Sequence, residues 1–398
     1  MSPVDQEEES ATSDRLVQAF WWGLKPSVYG TGWFGVWASD PAVNILNAID
    51  KVQFPGDENG QVVFSAKFNS SSLPDDVSKI TKSKCLPYWV GFVMNDLLLY
   101  SDCLKIHPQW MGQLKNKHDC LSKARMTDFV LPGTHDAGAS LLYKDLYKYN
   151  VHDILTRFTF THHDGIYEQL VMGVRYLDIR IGYYPTRQHK YYLNHSFVSI
   201  LPLYICLEDV AKFMSQTRDE IVIFDIHELE DSFDNHSEAL PGLLTLLESY
   251  FHPWMLPNSF QSNSTLGSIW DTKNKRLIVT FPGNPPSEHY WKNVHHLWAN
   301  TDDLDDLLKY MDSEIPRFSG SNFLWSVMGQ FTANYMDIIT DNWGGLMGAA
   351  NITNFPVTTK LRNYWWAHVN IVSMDFIAAS AVIDTVIKAN ELKFNCVS

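Results

Sequence analysis

Two textures of hydrophobic patterning divide this chain. From about residue 17 to residue 111, short apolar runs alternate with polar residues and are cut by turn signals: Tyr29-Gly-Thr-Gly-Trp33, Phe54-Pro-Gly-Asp57, Glu58-Asn-Gly60 and Leu73-Pro-Asp-Asp76. A period of two puts alternate side chains on opposite faces of a strand. Residues 62–68, 88–93 and 97–100 therefore read as strands of a small all-β sandwich. From Met126 onward the texture changes. Apolar runs at 128–131, 176–181, 191–193, 221–226, 276–280, 323–327 and 370–373 predict strands, and helical patterns lie between them at 203–216, 237–250, 302–311 and 376–390. In the first of these helices Leu203, Leu207, Val210, Ala211 and Met214 recur on one face. Repeated strand–helix units of this kind predict an α/β fold, a parallel barrel of the TIM type. The expected organisation is a disordered acidic N-terminus at 1–15, a β-sandwich at 16–112, a lysine-bearing linker at 113–125 and the barrel at 126–392.

Length and charge narrow the function. A chain of 398 residues is long for one ordinary domain and matches the two-domain reading. A net charge of −14 argues against nucleic-acid binding, which needs a basic face, and against strong electrostatic docking on anionic membranes. Any lipid contact must come from a local patch or exposed aromatics. Asp5, Glu7, Glu8 and Glu9 stand where a secretory signal would need a basic and then an apolar segment, so no signal is visible, and a mature chain shown without its signal stays open. The longest apolar stretch, 365–383, carries His368, Asn370 and Asp375, which disfavours a transmembrane helix. Cys85, Cys103 and Cys120 cluster while Cys206 and Cys396 stand apart; the spacing fits no zinc site. Mostly free or buried thiols is the preferred reading, with a disulfide among the first three open if the chain is secreted. Five Asn-X-Ser/Thr triplets, at Asn69, Asn194, Asn235, Asn263 and Asn351, raise the odds of an extracellular location only slightly. The compartment stays open between cytoplasmic and secreted.

The chemistry concentrates in three blocks: Asp128-Phe-Val-Leu-Pro-Gly-Thr-His-Asp-Ala-Gly138, Gly173-Val-Arg-Tyr-Leu-Asp-Ile-Arg-Ile-Gly182 and Tyr192-Leu-Asn-His195. His135, Asp178, Arg180, His195, His227 and Asp375 all fall at or just beyond predicted strand ends, the edge where barrel chemistry resides. One histidine after a strand is usually structural, and one arginine is usually solvated or ion-paired. Six such residues at one edge repel and desolvate one another unless they are used. Two imidazoles, a guanidinium and carboxylates suffice for attack on a phosphodiester without a metal.

In order, the three blocks resemble the X domain of phosphatidylinositol-specific phospholipases C, with the metal-independent branch the better match. The resemblance covers about the last two-thirds of the chain, and the N-terminal region is similar to the β-sandwich preceding this domain in some animal members. It implies a distorted TIM-type barrel and attack of the inositol 2-hydroxyl on phosphorus, giving diacylglycerol and a cyclic inositol phosphate. It also implies that His135 is the general base, His195 the general acid and Arg180 the phosphate-neutralising cation. Asp136 is then the partner of His195, and Asp375 orients the base, although Asp375 reads equally as a helix cap before Phe376. The calcium-dependent branch has acidic ligands where Arg180 stands and asparagine where Asp136 stands, so no cofactor and no calcium are expected. Asp178 pairs with Arg180 or lines the site. His227 or Asp225 faces the ring, depending on strand register. Trp343, in the turn 341–345, is a candidate for ring stacking, although a surface loop is the commoner meaning of such a turn. His162-His163-Asp164 reads as a polar loop. Bacterial members carry a head-group-binding basic residue after the strand that corresponds to 277–280; this chain has Phe281-Pro-Gly there. The partner implied is an inositol phospholipid or glycolipid at a membrane surface, with peripheral contact only. A non-catalytic head-group-binding relative and a metal-dependent glycerophosphodiesterase-like enzyme are the competing readings.

Overall fold

The structure is a computed structural model and describes residues 15–146 and 153–395. All but the last residue of the acidic stretch expected at 1–15 lies outside these. Residues up to 76 together with 82–107 form one compact unit, and 77–81 with 108 onward form the other.

The first unit is antiparallel throughout. β1 (Leu16–Trp21) and β4 (Gly60–Lys67) form one ribbon, and β3 (Asp50–Gln53), β2 (Trp33–Trp37), β5 (Lys84–Met94) and β6 (Leu97–Ile106) form a four-stranded sheet in the order β3-β2-β5-β6. Val17, Ala19 and Trp21 point from alternate positions of β1 into an aromatic core with Phe34, Phe54, Phe64 and Phe92. Asn95 and Asp96, both at positive φ (51° and 59°), make the two-residue turn joining β5 to β6. That hairpin brings Cys85 and Cys103 to adjacent strands, and they form a disulfide with a Cα–Cα distance of 5.5 Å. The free-thiol reading is therefore wrong for this pair: the turn between them folds their strands side by side. Cys206 is a buried free thiol.

The second unit is built on β7 (Leu131–Thr134), β8 (Tyr176–Tyr183), β9 (Tyr191–His195), β10 (Val198–Pro202), β11 (Val222–Asp231), β12 (Leu277–Phe281), β13 (Tyr290–Lys292), β14 (His295–Leu297), β15 (Trp325–Met328) and β16 (Ile371–Met374). Eight of these run in the order β13-β12-β11-β8-β7-β16-β15-β14 with parallel neighbours, while β9 and β10 extend β8 as an antiparallel flap. This is the distorted TIM-type barrel; β13 and β14, its two end strands, share no ladder among the described residues. The amphipathic helix Leu203–Gln216 forms with the bounds its periodicity predicts and buries Leu203, Leu207, Val210 and Met214.

Residues 113–125 are not a linker. Helix Trp110–Lys117 and the turn Asp119–Lys123 pack into the barrel's core through Trp110, Met111, Leu114 and Leu121. Trp110 Nε1 donates to the Gly173 carbonyl at 2.9 Å, and its ring stacks on Phe129 at 5.5 Å. The lysines misled because they occupy only the outer face of an amphipathic turn. Below the site, Arg175 and Glu220 form a fully buried pair, and Glu220 also accepts the backbone N–H of Met111 and Gly112. Arg175 spends its remaining donors on the carbonyls of Pro108, Leu170 and Val174, so its place in the second block is structural.

Candidate active site

Adjacent strand ends assemble the site. The strand expected at 128–131 begins at Leu131, so His135 stands one residue past β7. Gly133 is required there: a Cβ on it would lie 2.6 Å from Ser373 Oγ and 2.7 Å from Tyr176 Cδ1. The His135 backbone is held from two sides. Its N–H donates to Met374 O at 3.4 Å, and its carbonyl accepts His162 Nε2 at 2.8 Å. His162 lies in the polar loop expected there, yet it is not solvated. It is buried, and burial lowers its pKa to about 4. Its neutral ring fastens the first block to the 159–164 segment.

Asp375, one residue past β16, meets His135 Nδ1 through Oδ1 at 2.8 Å. The cap reading fails, because the carboxylate faces the barrel while Phe376 takes a left-handed φ of 46° and donates its N–H to Thr161 O at 2.7 Å. Burial disfavours charge on His135, but the Asp375 carboxylate and its hydrogen bond outweigh that and raise the imidazole's pKa. The other ring nitrogen, Nε2, faces Arg180 Nη2 at 3.3 Å.

Arg180 and Asp178 lie two apart on β8, so the pleat turns both to the same face. Asp178 Oδ2 is 3.7 Å from Arg180 Nη2 and accepts the Asp136 N–H at 3.3 Å. Burial penalises its charge, but Arg180 and the surrounding imidazoles hold its pKa down to about 2. Asp136 itself adopts a left-handed φ of 44°, a conformation that costs about 1 kcal/mol outside glycine. Its Oδ2 lies 3.8 Å from both Arg180 Nε and His195 Nε2 and has no hydrogen-bond partner. Burial raises its pKa to about 7.

His195 ends β9 and turns its Nδ1 to the Thr159 carbonyl. Burial, with the nearby His135 and Arg180, lowers its pKa to about 4. Its ring stands perpendicular to that of His135, with centroids 6.2 Å apart. His195 and Asp136 thus both lean toward their neutral forms, and the expected ion pair is a near-contact rather than a hydrogen bond. A bound anion would reverse the His195 shift by supplying the negative charge that stabilises imidazolium, and the imidazolium would in turn favour the Asp136 carboxylate.

His227 lies on β11, where a bulge between Ile226 and Glu228 adds one residue to the strand. Asp225 and His227 face inward together: His227 Nδ1 reaches Asp225 Oδ2 at 3.2 Å, so the register question resolves to both residues. Burial opposes charge on His227, but Asp225 and Asp178 raise its pKa. Trp343 packs on Phe331 at 5.4 Å and makes no hydrogen bond or ring contact with the histidines among the described residues. Sequence reasoning missed Tyr176, Thr280 and His296. Tyr176 donates to Asp225 Oδ2 at 2.6 Å, Thr280 donates to Asp225 Oδ1, and His296 stacks on His227. His296 sits on a three-residue strand too short for any periodicity to reveal, whereas the spacing of Asp225 and His227 was visible.

The chain as a whole is similar to several known proteins. Mouse PI-PLC X domain-containing protein 2 is 24% identical over 316 residues, covering 71% of this chain and 87% of the relative. The chain's relatives are PI-PLC X-domain proteins. Human PI-PLC X domain-containing protein 3 is 22% identical over 307 residues, with 71% and 92% covered. Variant-surface-glycoprotein phospholipase C of Trypanosoma cruzi is 25% identical over 269 residues, with 58% and 68% covered. Among solved structures, the barrel is similar to phosphatidylinositol-specific phospholipase C of Staphylococcus aureus, with a TM-score of 0.52 at 13% identity over 67% of this chain and 94% of that one. The enzyme of Listeria monocytogenes gives a TM-score of 0.50 at 17% identity over 71% and 98%. No family model matches the chain. The solved structures share the barrel fold.

Proposed function

We propose that this chain cleaves phosphatidylinositol or a related inositol glycolipid by metal-independent acid–base catalysis. The observation that carries the reading is the placement of His135 and His195 6.2 Å apart beside Arg180, with Asp375 on the far nitrogen of His135. His135 Nε2 takes the proton of the inositol 2-hydroxyl, whose oxygen then attacks phosphorus. The bond to the glycerol oxygen breaks, and His195 Nε2 delivers a proton to it. Diacylglycerol leaves, and a five-membered cyclic inositol phosphate remains. Arg180 offers a planar fork to the phosphoryl oxygens as their charge increases. His195 must start protonated, and the phosphodiester anion supplies negative charge that favours its imidazolium form. Asp136 then ionises against it, which gives its unpaired Oδ2 a partner. Asp178 anchors Arg180, and His227 faces the head group from the β11 side.

No step requires a metal. The guanidinium of Arg180 supplies the positive charge that a cation would, which supports the calcium-free reading. No helix among the described residues is long and apolar enough to cross a bilayer, and the membrane contact in this reading is peripheral. Phe197, Trp298 and Tyr335 expose 76%, 50% and 76% of their surface after strand ends. They supply the apolar contact that a chain of net charge −14 needs in place of electrostatic docking. The test is cleavage of phosphatidylinositol in mixed micelles with EDTA present, using wild type, His135→Ala and His195→Ala. Turnover by wild type and its loss in both variants, with melting temperatures unchanged, supports the reading. A wild type without turnover on any inositol lipid leaves a head-group-binding protein.

A further inference from the structure

Beside the histidine pair lies a second cluster that the proposed reaction does not exhaust. Asp178, His227 and His296 each bring one ligand atom to within 4.8 Å of the other two. They stand on three strands, β8, β11 and β14, so the barrel itself sets their spacing. The two imidazoles are stacked, with centroids 3.6 Å apart and planes within 4°. Asp225, fully buried, lies behind both: its Oδ2 is 3.2 Å from His227 Nδ1 and 3.7 Å from His296 Nε2. The Tyr176 hydroxyl sits between them, 2.6 Å from Asp225 Oδ2 and 2.7 Å from His296 Nε2. A phenol has one proton to give. With that proton donated to Asp225, His296 becomes the donor at Nε2. These bonds set both tautomers and leave Nε2 of His227 and Nδ1 of His296 with free lone pairs. Asp178 completes the set, because its Oδ1 is buried without a hydrogen-bond partner while Oδ2 is engaged by Asp136 and Arg180.

We propose that Asp178, His227 and His296 form a binding site for a divalent transition-metal ion of the zinc type, with Asp225 and Tyr176 orienting the imidazoles from behind. Two imidazoles and one carboxylate are the donors such ions select, whereas calcium takes six to eight oxygens. A histidine that donates its other N–H to a buried carboxylate is the arrangement that fixes metal-ligating rings. Charge favours a cation as well, since the carboxylates of Asp178 and Asp225 both lie within reach of the two imidazoles. A tetrahedral zinc site, with Zn–N of about 2.0–2.1 Å, has ligand–ligand edges of about 3.3 Å. Loading therefore draws the ligand atoms together by at most about 1.5 Å. Tilting the stacked rings turns their parallel lone pairs onto one point. Three protein ligands leave a fourth position for water or a substrate oxygen.

The test uses the full chain stripped with EDTA and titrated with Co2+, then with Zn2+. The expected result is one equivalent of Co2+ with the visible absorption of a four- or five-coordinate nitrogen–oxygen site, displaced one for one by Zn2+. His227→Asn and His296→Asn each weaken binding at least tenfold, and Tyr176→Phe, which keeps all three ligands, weakens it about 10- to 100-fold. His189→Asn, on the exposed surface, leaves it unchanged. A stripped wild type that develops no such spectrum overturns the proposal, and this readout does not depend on any variant folding. Binding that persists undiminished in both His227→Asn and His296→Asn also overturns it.

Discussion

Replacing Asp375 by asparagine tests the catalytic geometry at its most specific point. The substitution keeps size and polarity but removes the charge that faces His135 Nδ1 at 2.8 Å. Two consequences follow. The first is in rate: a hydrogen bond to a charged partner is worth about 1.5–3 kcal/mol. When His135 takes the 2-hydroxyl proton it becomes imidazolium, and that bond reaches full strength only then. Losing it lowers kcat/KM by about 10- to 150-fold. The second is in pH. Asp375 raises the His135 pKa against the opposing effect of burial. The base must be neutral, so activity rises with pH through that pKa. Without the carboxylate the imidazole protonates less readily, and the acidic limb of the profile moves to lower pH. The assay is release of water-soluble phosphate from labelled phosphatidylinositol in mixed micelles between pH 4 and pH 9, approximate limits set by the titration range of histidine. A loss below about threefold, or an acidic limb that stays in place, would refute the assignment of Asp375.

Further expectations concern other parts of the molecule. Arg180→Lys keeps the charge but loses the planar fork, and kcat should fall by about 100- to 1,000-fold, measured in the same assay. His195→Gln should fail on the lipid, whose glycerol oxygen needs a proton, yet keep most of its rate on an inositol phosphate ester with a good phenolic leaving group; equal losses on both would remove His195 as the acid. Trp110→Ala should destabilise the barrel by about 3–5 kcal/mol in denaturant unfolding, because the ring is 1% exposed and stacked in the core; a tolerated substitution would restore the linker reading. Reducing the Cys85–Cys103 bond, whose cysteines are 18 residues apart, should cost the β unit about 3 kcal/mol in the same measurement.

Much of the barrel was legible because hydrophobic period carries it. The helix Leu203–Gln216 and the strands around Tyr176, Val222, Leu277 and Ile371 appear within a few residues of their expected places. β13 and β14 escaped because three residues cannot show a period. Helix Trp110–Lys117 escaped because its lysines outweighed Trp110, Met111 and Leu114 in a segment only two turns long. At the site, the ordered blocks pointed to His135, Asp136, Asp178, Arg180 and His195, which one strand edge brings together. Asp375 stood at even odds until the φ of Phe376 placed its carboxylate on His135. Asp225 remained ambiguous because a bulge is invisible to a period of two. The Cys85–Cys103 bond depended on a tight turn at Asn95-Asp96, a pairing that local composition does not reveal.

The central claim is phosphodiester cleavage by two histidines and an arginine without a metal. Phosphorus NMR of purified, EDTA-treated protein acting on phosphatidylinositol micelles tests it most directly. The account predicts the resonance of a five-membered cyclic inositol phosphate, appearing with EDTA present and absent with His135→Ala. Turnover that begins only when a divalent ion is restored would contradict it.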